Sequence, residues 1–330
     1  MRDPTVRVPM SVPRALIVAV AWAVGLATPT VAQQDYPARP IHVMVGFPAG
    51  SGADLGVRSI ADKLQEFAKQ RVIVENKPGA GSNIAIGLAV NARPDGYTVL
   101  MAASSAMAGS RYLYKDFKID TETALEPVAL VWRSNFVLSV APQSPINSVG
   151  DLTAFLKTKP RSLHAYSNQT GQLAAAFYLS RVGVTSNGVN YRGAAEAVAD
   201  LNSGTIDFMM LDGAFASGQL RAGRIKPLGV TAAKRSSSTP DTPTMHEAGL
   251  PGFEFSPFWA AYVPKGTPAA IVAKLTPWLI EVARSDAIRE RFNVTGSLPV
   301  GEGPDAARAA LKDEIGKWAV AVKAAGIEPQ

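Results

Sequence analysis

The chain contains no cysteine. Disulfides, thiolate chemistry, iron–sulfur clusters and a lipid-modified N-terminal cysteine are thereby excluded. Histidine is scarce: His42, His164 and His246 lie far apart and offer no metal-ligand spacing. Nucleotide motifs are missing too. A dinucleotide fingerprint needs a final glycine in G-x-G-x-x-G, yet Gly50-Ser51-Gly52 runs on to Leu55 and Gly79-Ala80-Gly81 to Ile84. No Gly-Lys-Ser/Thr closes a P-loop, and Ala49 and Ala53 stand where a hydrolase elbow around Ser51 needs glycines. No basic run or aromatic–basic stripe suggests nucleic acid. Past residue 32, no segment is apolar for long enough to cross a bilayer.

What is present begins with a leader. Arg2, Arg7 and Arg14 make a basic start, residues 15–27 are apolar but short for a membrane span, and Thr30-Val31-Ala32 resembles a small-residue cleavage site. Residues 1–32 are therefore expected to be a signal peptide, with Gln33 the first mature residue. The whole chain carries a formal charge of +6, about +4 without the leader. A mildly basic protein suits a small anionic ligand without proving one. The 330 residues suffice for two domains with proper cores.

Two strand–loop–helix units in tandem organise the rest, over residues 37–54 and 72–83. Ile41, Val43, Val45 and Phe47 alternate as a strand requires, and Val57, Ile60, Ala61, Leu64 and Ala68 recur at helical spacing. Each strand ends in a Gly-rich loop that leads into a helix. Side by side at the carboxyl edge of a sheet, such loops make a crevice floored by backbone N–H groups and helix N-termini, an anion site. The plainer reading is that the glycines and prolines only make turns, with Asp54 as a helix cap.

Further on, helices are expected at 84–92, 148–158, 172–182, 194–202, 215–222, 269–284, 286–293 and 304–325. Ser148-Val149-Gly150-Asp151 opens the second of these as a capping box, and Gly223 closes the fifth. Strands are expected at 98–103, 128–131, 136–141, 163–167, 189–191, 206–211, 228–231 and 258–263. Residues 106–127 read as loop and short helix, and 168–171 and 234–244 as loops. Strands alternating with helices predict parallel sheets covered on both faces.

The pattern Y-P-x-R-P-I, F-P-x-G-x-x-x-D, V-x-V-E-N-x-P-G-A-G-x-N and P-D-G-Y-T resembles the Bug family, the substrate-binding receptors of tripartite tricarboxylate transporters (TctC-like periplasmic binding proteins). Tyr191-Arg192-Gly193, Leu220-Arg221-Ala222-Gly223, Pro240-Asp241-Thr242-Pro243-Thr244, Glu247-Ala248-Gly249-Leu250-Pro251-Gly252 and Pro264-Lys265-Gly266-Thr267-Pro268 extend the resemblance almost to the end. It implies an α/β type II periplasmic binding-protein fold: two Rossmann-like domains with parallel-rich sheets, two hinge crossings and a ligand cleft between them. Domain 1 is expected over 36–134 and 260–330, and domain 2 over 135–259. It implies capture of a small carboxylate (dicarboxylate, tricarboxylate or aromatic acid) by domain closure, with no cofactor, no metal and no catalysis. A permease of the tripartite type or a sensor kinase is the expected onward partner, and the protein is expected to be a periplasmic monomer that binds no nucleic acid. An enzyme on the same architecture and the effector-sensing domain of a regulator are the rivals. A leader where a DNA-binding helix would sit argues against the latter.

By the same resemblance, first-domain contacts fall on Phe47, Ala49, Gly50, Ser51 and Asp54 and on Gly81, Ser82 and Asn83. Asp54 is either a ligand contact or a cap. Ser104 and Ser105 end a strand on the same edge, as contacts or as a turn. In the second domain Ser167, Asn168, Thr170 and Gly171 occupy the family's ligand loop, which is often longer and glycine-richer and frequently followed by a histidine where this chain has Ala174-Ala175-Ala176. Tyr191 and Gly193 match the family. Arg192 replaces a common lysine, and its fork either grips a second carboxylate or faces solvent. Asp212 binds a ligand donor or caps the next helix. Phe258 and Trp259 wall the cleft or pack the hinge.

Overall fold

A computed structural model of the chain describes Met1, residues 36–325 and residues 328–329. The expected leader lies outside them, Met1 excepted. From Arg39 onward the chain forms one unit, built on two sheets. Strand β1 (Ile41–Val45) buries Ile41, Val43 and Val45 on one face, as the alternation requires. Helix α1 (Gly52–Ala68) follows; Ser51 caps it by accepting from the Asp54 N–H, and Val57, Ile60, Ala61, Leu64 and Ala68 face inward. Then come β2 (Val72–Asn76), a single tight turn at Ala80–Ser82, α2 (Asn83–Val90), β3 (Thr98–Ala103), α3 (Ser104–Leu113), α4 (Thr121–Ala124) and β4 (Leu125–Arg133).

The chain next crosses into the second sheet, with β5 (Phe136–Val140), α5 (Val149–Thr158), β6 (Leu163–Tyr166), α6 (Gln169–Val182), β7 (Asn187–Asn190), α7 (Ala194–Ser203), β8 (Phe208–Asp212), α8 (Gly213–Arg221) and β9 (Lys226–Val230). It returns through β10 (Phe258–Pro264) and ends with α9 (Ala269–Arg284), α10 (Asp286–Thr295), β11 (Leu298–Glu302) and α11 (Pro304–Ala325). The first sheet has the order β11-β4-β10-β3-β1-β2 and the second β7-β6-β8-β5-β9.

The α/β class and the two crossings stand, but the sheets are mixed where parallel-rich ones were expected. β1 runs parallel to β2 and β3, whereas β10 is antiparallel to β3 and β4, and β11 to β4. In the second sheet β6 is parallel to β7 and β8, and β5 is antiparallel to β8 and β9. The reversed pairings at the centre involve β10 and β5, the strands by which the chain enters each sheet from the other lobe. The two crossings are tied side by side: Ser134 donates its N–H to Pro257 O (2.7 Å), and the Phe136 N–H goes to Thr231 Oγ1 (2.8 Å).

Other expectations change locally. The span 106–127 is mostly regular, and α3 begins at Ser104, so both serines are helical. Helix α6 begins at Gln169, which places Thr170 and Gly171 in its first turn. β11 was not expected; Pro299 and Gly301 within it hid an edge strand, a position where a sheet tolerates proline. The C-terminal helices pack against both lobes: α11 on α3, β4 and α6, and α10 on α1 and α8.

Candidate functional site

β1, β2 and β3 are adjacent parallel strands, and β6, β7 and β8 are a second such set. Each strand of both sets leads into a helix whose N-terminus lies at the carboxyl edge of its sheet, where partial positive charge collects. The two edges meet. A Cβ built on Gly81, after β2, would lie 2.9 Å from Gln169 Oε1 at the start of α6.

The first-lobe loops are interlocked. After β2, Gly79, Ala80, Gly81 and Ser82 all have positive φ (128°, 45°, 62° and 80°). For Ala80 and Ser82 this conformation costs roughly 1 kcal/mol or more each, and such strain persists only where the surroundings impose it, typically at ligand clamps. Here Ser82 imposes it by donating its Oγ to Gly46 O (3.1 Å) across to the first loop. Gly46 permits this approach: a Cβ there would meet Ser82 Cβ at 2.3 Å and Cα at 2.8 Å. Gly46 was not singled out from sequence, where it falls inside the alternating run from Ile41 to Phe47; its position directly before Phe47-Pro48 was the available signal. Asn83 accepts from Ser110 Oγ, joining α2 to α3.

Asp54 is fully engaged within the protein. Its Oδ2 accepts from the Gly50 N–H (2.8 Å) and Arg58 Nε (2.9 Å), and its Oδ1 from Asn76 Nδ2 (2.8 Å). Asn76 Nδ2 also reaches Phe47 O (3.0 Å), and Arg58 Nη2 reaches Asn76 Oδ1 (2.9 Å). Burial raises the carboxyl's pKa, but the bonds from Arg58, Asn76 and Gly50 together outweigh it and hold Asp54 below the usual carboxylate value. The network fixes the first loop to β2. Ser51 donates to Pro48 O (2.7 Å), while Ala49 and Gly50 lie exposed at the loop tip. Phe47 meets Trp259 at a tilt (5.2 Å), Trp259 stacks on Trp132 (4.9 Å), and Trp132 meets Phe292 edge-on (5.3 Å). Trp259 and Phe258 are buried and pack the hinge strands.

Ser104 and Ser105 differ. Ser104 is fully buried; its Oγ donates to Glu314 Oε1 (3.2 Å) on α11 and accepts from the Phe258 N–H (3.2 Å). Burial pushes the Glu314 carboxyl above its usual value. Ser105, the second residue of α3, has no hydroxyl partner among the described residues, and Ala103 leaves the helix N-terminus without a side-chain cap.

The second lobe is simpler. Asn168 Oδ1 caps α6 by accepting from the Gly171 N–H (2.7 Å), and Asp212 Oδ1 caps α8 by accepting from the Ala214 N–H (3.0 Å). Desolvation raises the Asp212 carboxyl despite that bond. Ser167 and Thr170 are half-buried beside the Asn168 cap, and Gly193 precedes α7 with no side-chain cap. Tyr191 Oη donates to Asp200 Oδ2 (2.6 Å); burial and that bond push the phenol up to about 12. Arg192 is exposed and has no ion-pair partner among the described residues. Two residues outside the expected set, Tyr114 and Gln169, stand against Gly81.

Two lobes joined by paired crossings, with opposed strand edges and backbone-rich loops, define a two-lobed binding protein. The chain belongs to the tripartite tricarboxylate transporter family of receptors, whose family model matches residues 57–327. It is 34% identical to protein BugT of Bordetella pertussis over 307 residues, covering 92% of this chain and 94% of that one. Among solved structures, the periplasmic binding protein BugD superposes with a TM-score of 0.76 at 31% identity, covering 89% of this chain and 100% of BugD. An R. palustris protein solved with adipate superposes at 0.79 with 31% identity, covering 90% and 100% of the two chains.

Proposed function

We propose that this chain is an exported receptor that captures a small dicarboxylate between its lobes and delivers it to a membrane permease. The observation that carries the reading is the interlocked first-lobe crevice. The left-handed turn at 79–82, in which the Ser82 N–H already bonds Gly79 O, offers its Ala80 and Gly81 N–H groups, and the uncapped start of α3 its first-turn N–H groups, to one carboxylate, with the Ser105 hydroxyl, unpartnered among the described residues, beside them. Across the cleft Arg192, which has no ion-pair partner among the described residues, supplies a bidentate partner for a second carboxylate. The adipate held by the R. palustris relative fits a linear ligand with a charge at each end. The residues proposed to hold the ligand are Phe47, Ala49, Gly50, Ser51, Gly81, Ser82, Asn83, Ser105, Ser167, Thr170, Arg192 and Gly193. Asp54, Ser104, Asn168, Tyr191 and Asp212 shape the site through the bonds described above. The domains proposed are those expected from sequence, and the leader at 1–32 directs export to the periplasm.

The test is a thermal-shift screen of protein stripped by unfolding and refolding. Mono-, di- and tricarboxylates are compared with their amides. A ligand at 100 times its Kd stabilises by about 2.7 kcal/mol. Dicarboxylates are expected to raise Tm and their amides not. No shift with any carboxylate overturns the reading, and turnover of a bound acid, seen by mass spectrometry, replaces it with an enzymatic one.

A further inference from the structure

We propose that Tyr114 and Gln169 form a latch across the cleft, seated on Gly81. Tyr114 directly follows α3 in the first lobe as its C-terminal cap, and Gln169 is the first residue of α6 in the second. Gln169 Nε2 donates to Tyr114 Oη at 2.7 Å. The two are 55 residues apart in sequence and belong to different sheets, so only the meeting of the lobes brings them together. Gly81 makes room for both: a Cβ there would lie 2.7 Å from Tyr114 Oη and 2.9 Å from Gln169 Oε1. Other bonds that join the lobes, such as Asn135 Nδ2 to Gly296 O (2.6 Å) and Ser217 Oγ to Val294 O (3.4 Å), lie on the side of α10. Tyr114–Gln169 instead joins the two carboxyl edges.

The position assigns the role. Hinge opening separates the edges and breaks this bond, while the folds of the separate lobes do not need it. Its seat is part of the left-handed run in the first-lobe crevice, so whatever orders that loop also orders the latch. The latch deepens the carboxylate reading above, since it sets how long a captured ligand stays, yet its geometry stands without a ligand. One net hydrogen bond changes an opening equilibrium, and with it the release rate, by about 2- to 12-fold.

The test exploits the cysteine-free sequence. Asp62→Cys on α1 and Lys157→Cys on α5, both exposed, give one dye on each lobe. Energy transfer then reports lobe separation in the full chain, with and without adipate. Tyr114→Phe and Gln169→Ala are each expected to lengthen the distance with no ligand added, and the double variant to add nothing beyond either. Each is expected to speed adipate release by about 2- to 12-fold with association unchanged. Unchanged distances in both single variants overturn the latch, whatever adipate does. Lengthened distances in a protein that ignores every dicarboxylate keep the latch and remove the carboxylate reading.

Discussion

The two lobes present the same secondary-structure plan and build their cleft edges in opposite ways. In the first lobe, loop is bonded to loop. Ser82 reaches Gly46, and Asp54, Asn76 and Arg58 close a polar ring that also holds Phe47 O. In the second lobe Asn168 and Asp212 each cap a helix through one short bond, Gly193 offers no side-chain cap, and Arg192 has no ion-pair partner among the described residues. The first lobe is thus preorganised, so binding there loses little conformational entropy. On the proposed reading the second lobe contributes the exposed Arg192, which closure would bring to a ligand seated on the first. A receptor needs one rigid half to recognise and one adaptable half to close.

The comparison is broken most severely at Gly46. Gly46→Ala forces a Cβ into the Ser82 backbone, and overpacking of this kind is expected to cost about 3 kcal/mol and to abolish dicarboxylate binding. Urea unfolding with a parallel titration checks it; a variant that binds normally would show that the interlock is dispensable.

The second lobe carries an acid sensitivity that sets in just below neutral pH. His164 is buried against Phe208 (5.3 Å) with Nδ1 3.1 Å from Ser186 Oγ, and desolvation lowers its pKa from 6.5 to about 4. Below pH 6.5 the unfolded chain takes up this proton and the folded chain does not, so stability falls as pH drops from about 6.5 to about 4. The loss approaches roughly 3 kcal/mol. His164→Gln is expected to flatten that part of the pH–stability curve, and an unchanged slope would refute the assignment. Asp54 acts lower: its stabilisation is complete above its ordinary pKa of 3.8 and is lost as pH falls through its depressed folded value.

A smaller contrast sharpens the difference between the loops. Asp54→Ala removes a buried acceptor of three bonds and is expected to cost about 2 kcal/mol and to weaken binding through the loop. Asn168→Ala removes one cap and is expected to cost about 1 kcal/mol. Equal losses, measured by denaturant midpoints at constant slope, would mean that the lobes are equally organised.

Much of this was legible beforehand. Helices α9 and α11 coincide with the expected 269–284 and 304–325, because long amphipathic runs bounded by proline and serine signals leave little ambiguity. The Gly-rich loops were located from their residues alone. Asp54, left between ligand and cap, is neither alone: it accepts from a loop N–H, a strand side chain and a helix guanidinium at once. Ser104 looked like a cleft hydroxyl and is instead drawn inward by Glu314, 210 residues away. The antiparallel pairings of β10 and β5 were hidden because local pattern reports a strand and not its neighbour.

The family resemblance, the α/β alternation, the two tandem loops and the lack of cysteine and of the G-x-G-x-x-G and P-loop patterns are all readable in the sequence. These follow from local periodicity, turn residues and motif spacing. Which polar side chains are engaged, the clearances that Gly46 gives Ser82 and Gly81 gives Tyr114 and Gln169, and the meeting of the lobes there emerge from the fold. Hydrogen-bond satisfaction and steric clearance depend on residues far apart in the chain, and no local pattern encodes them.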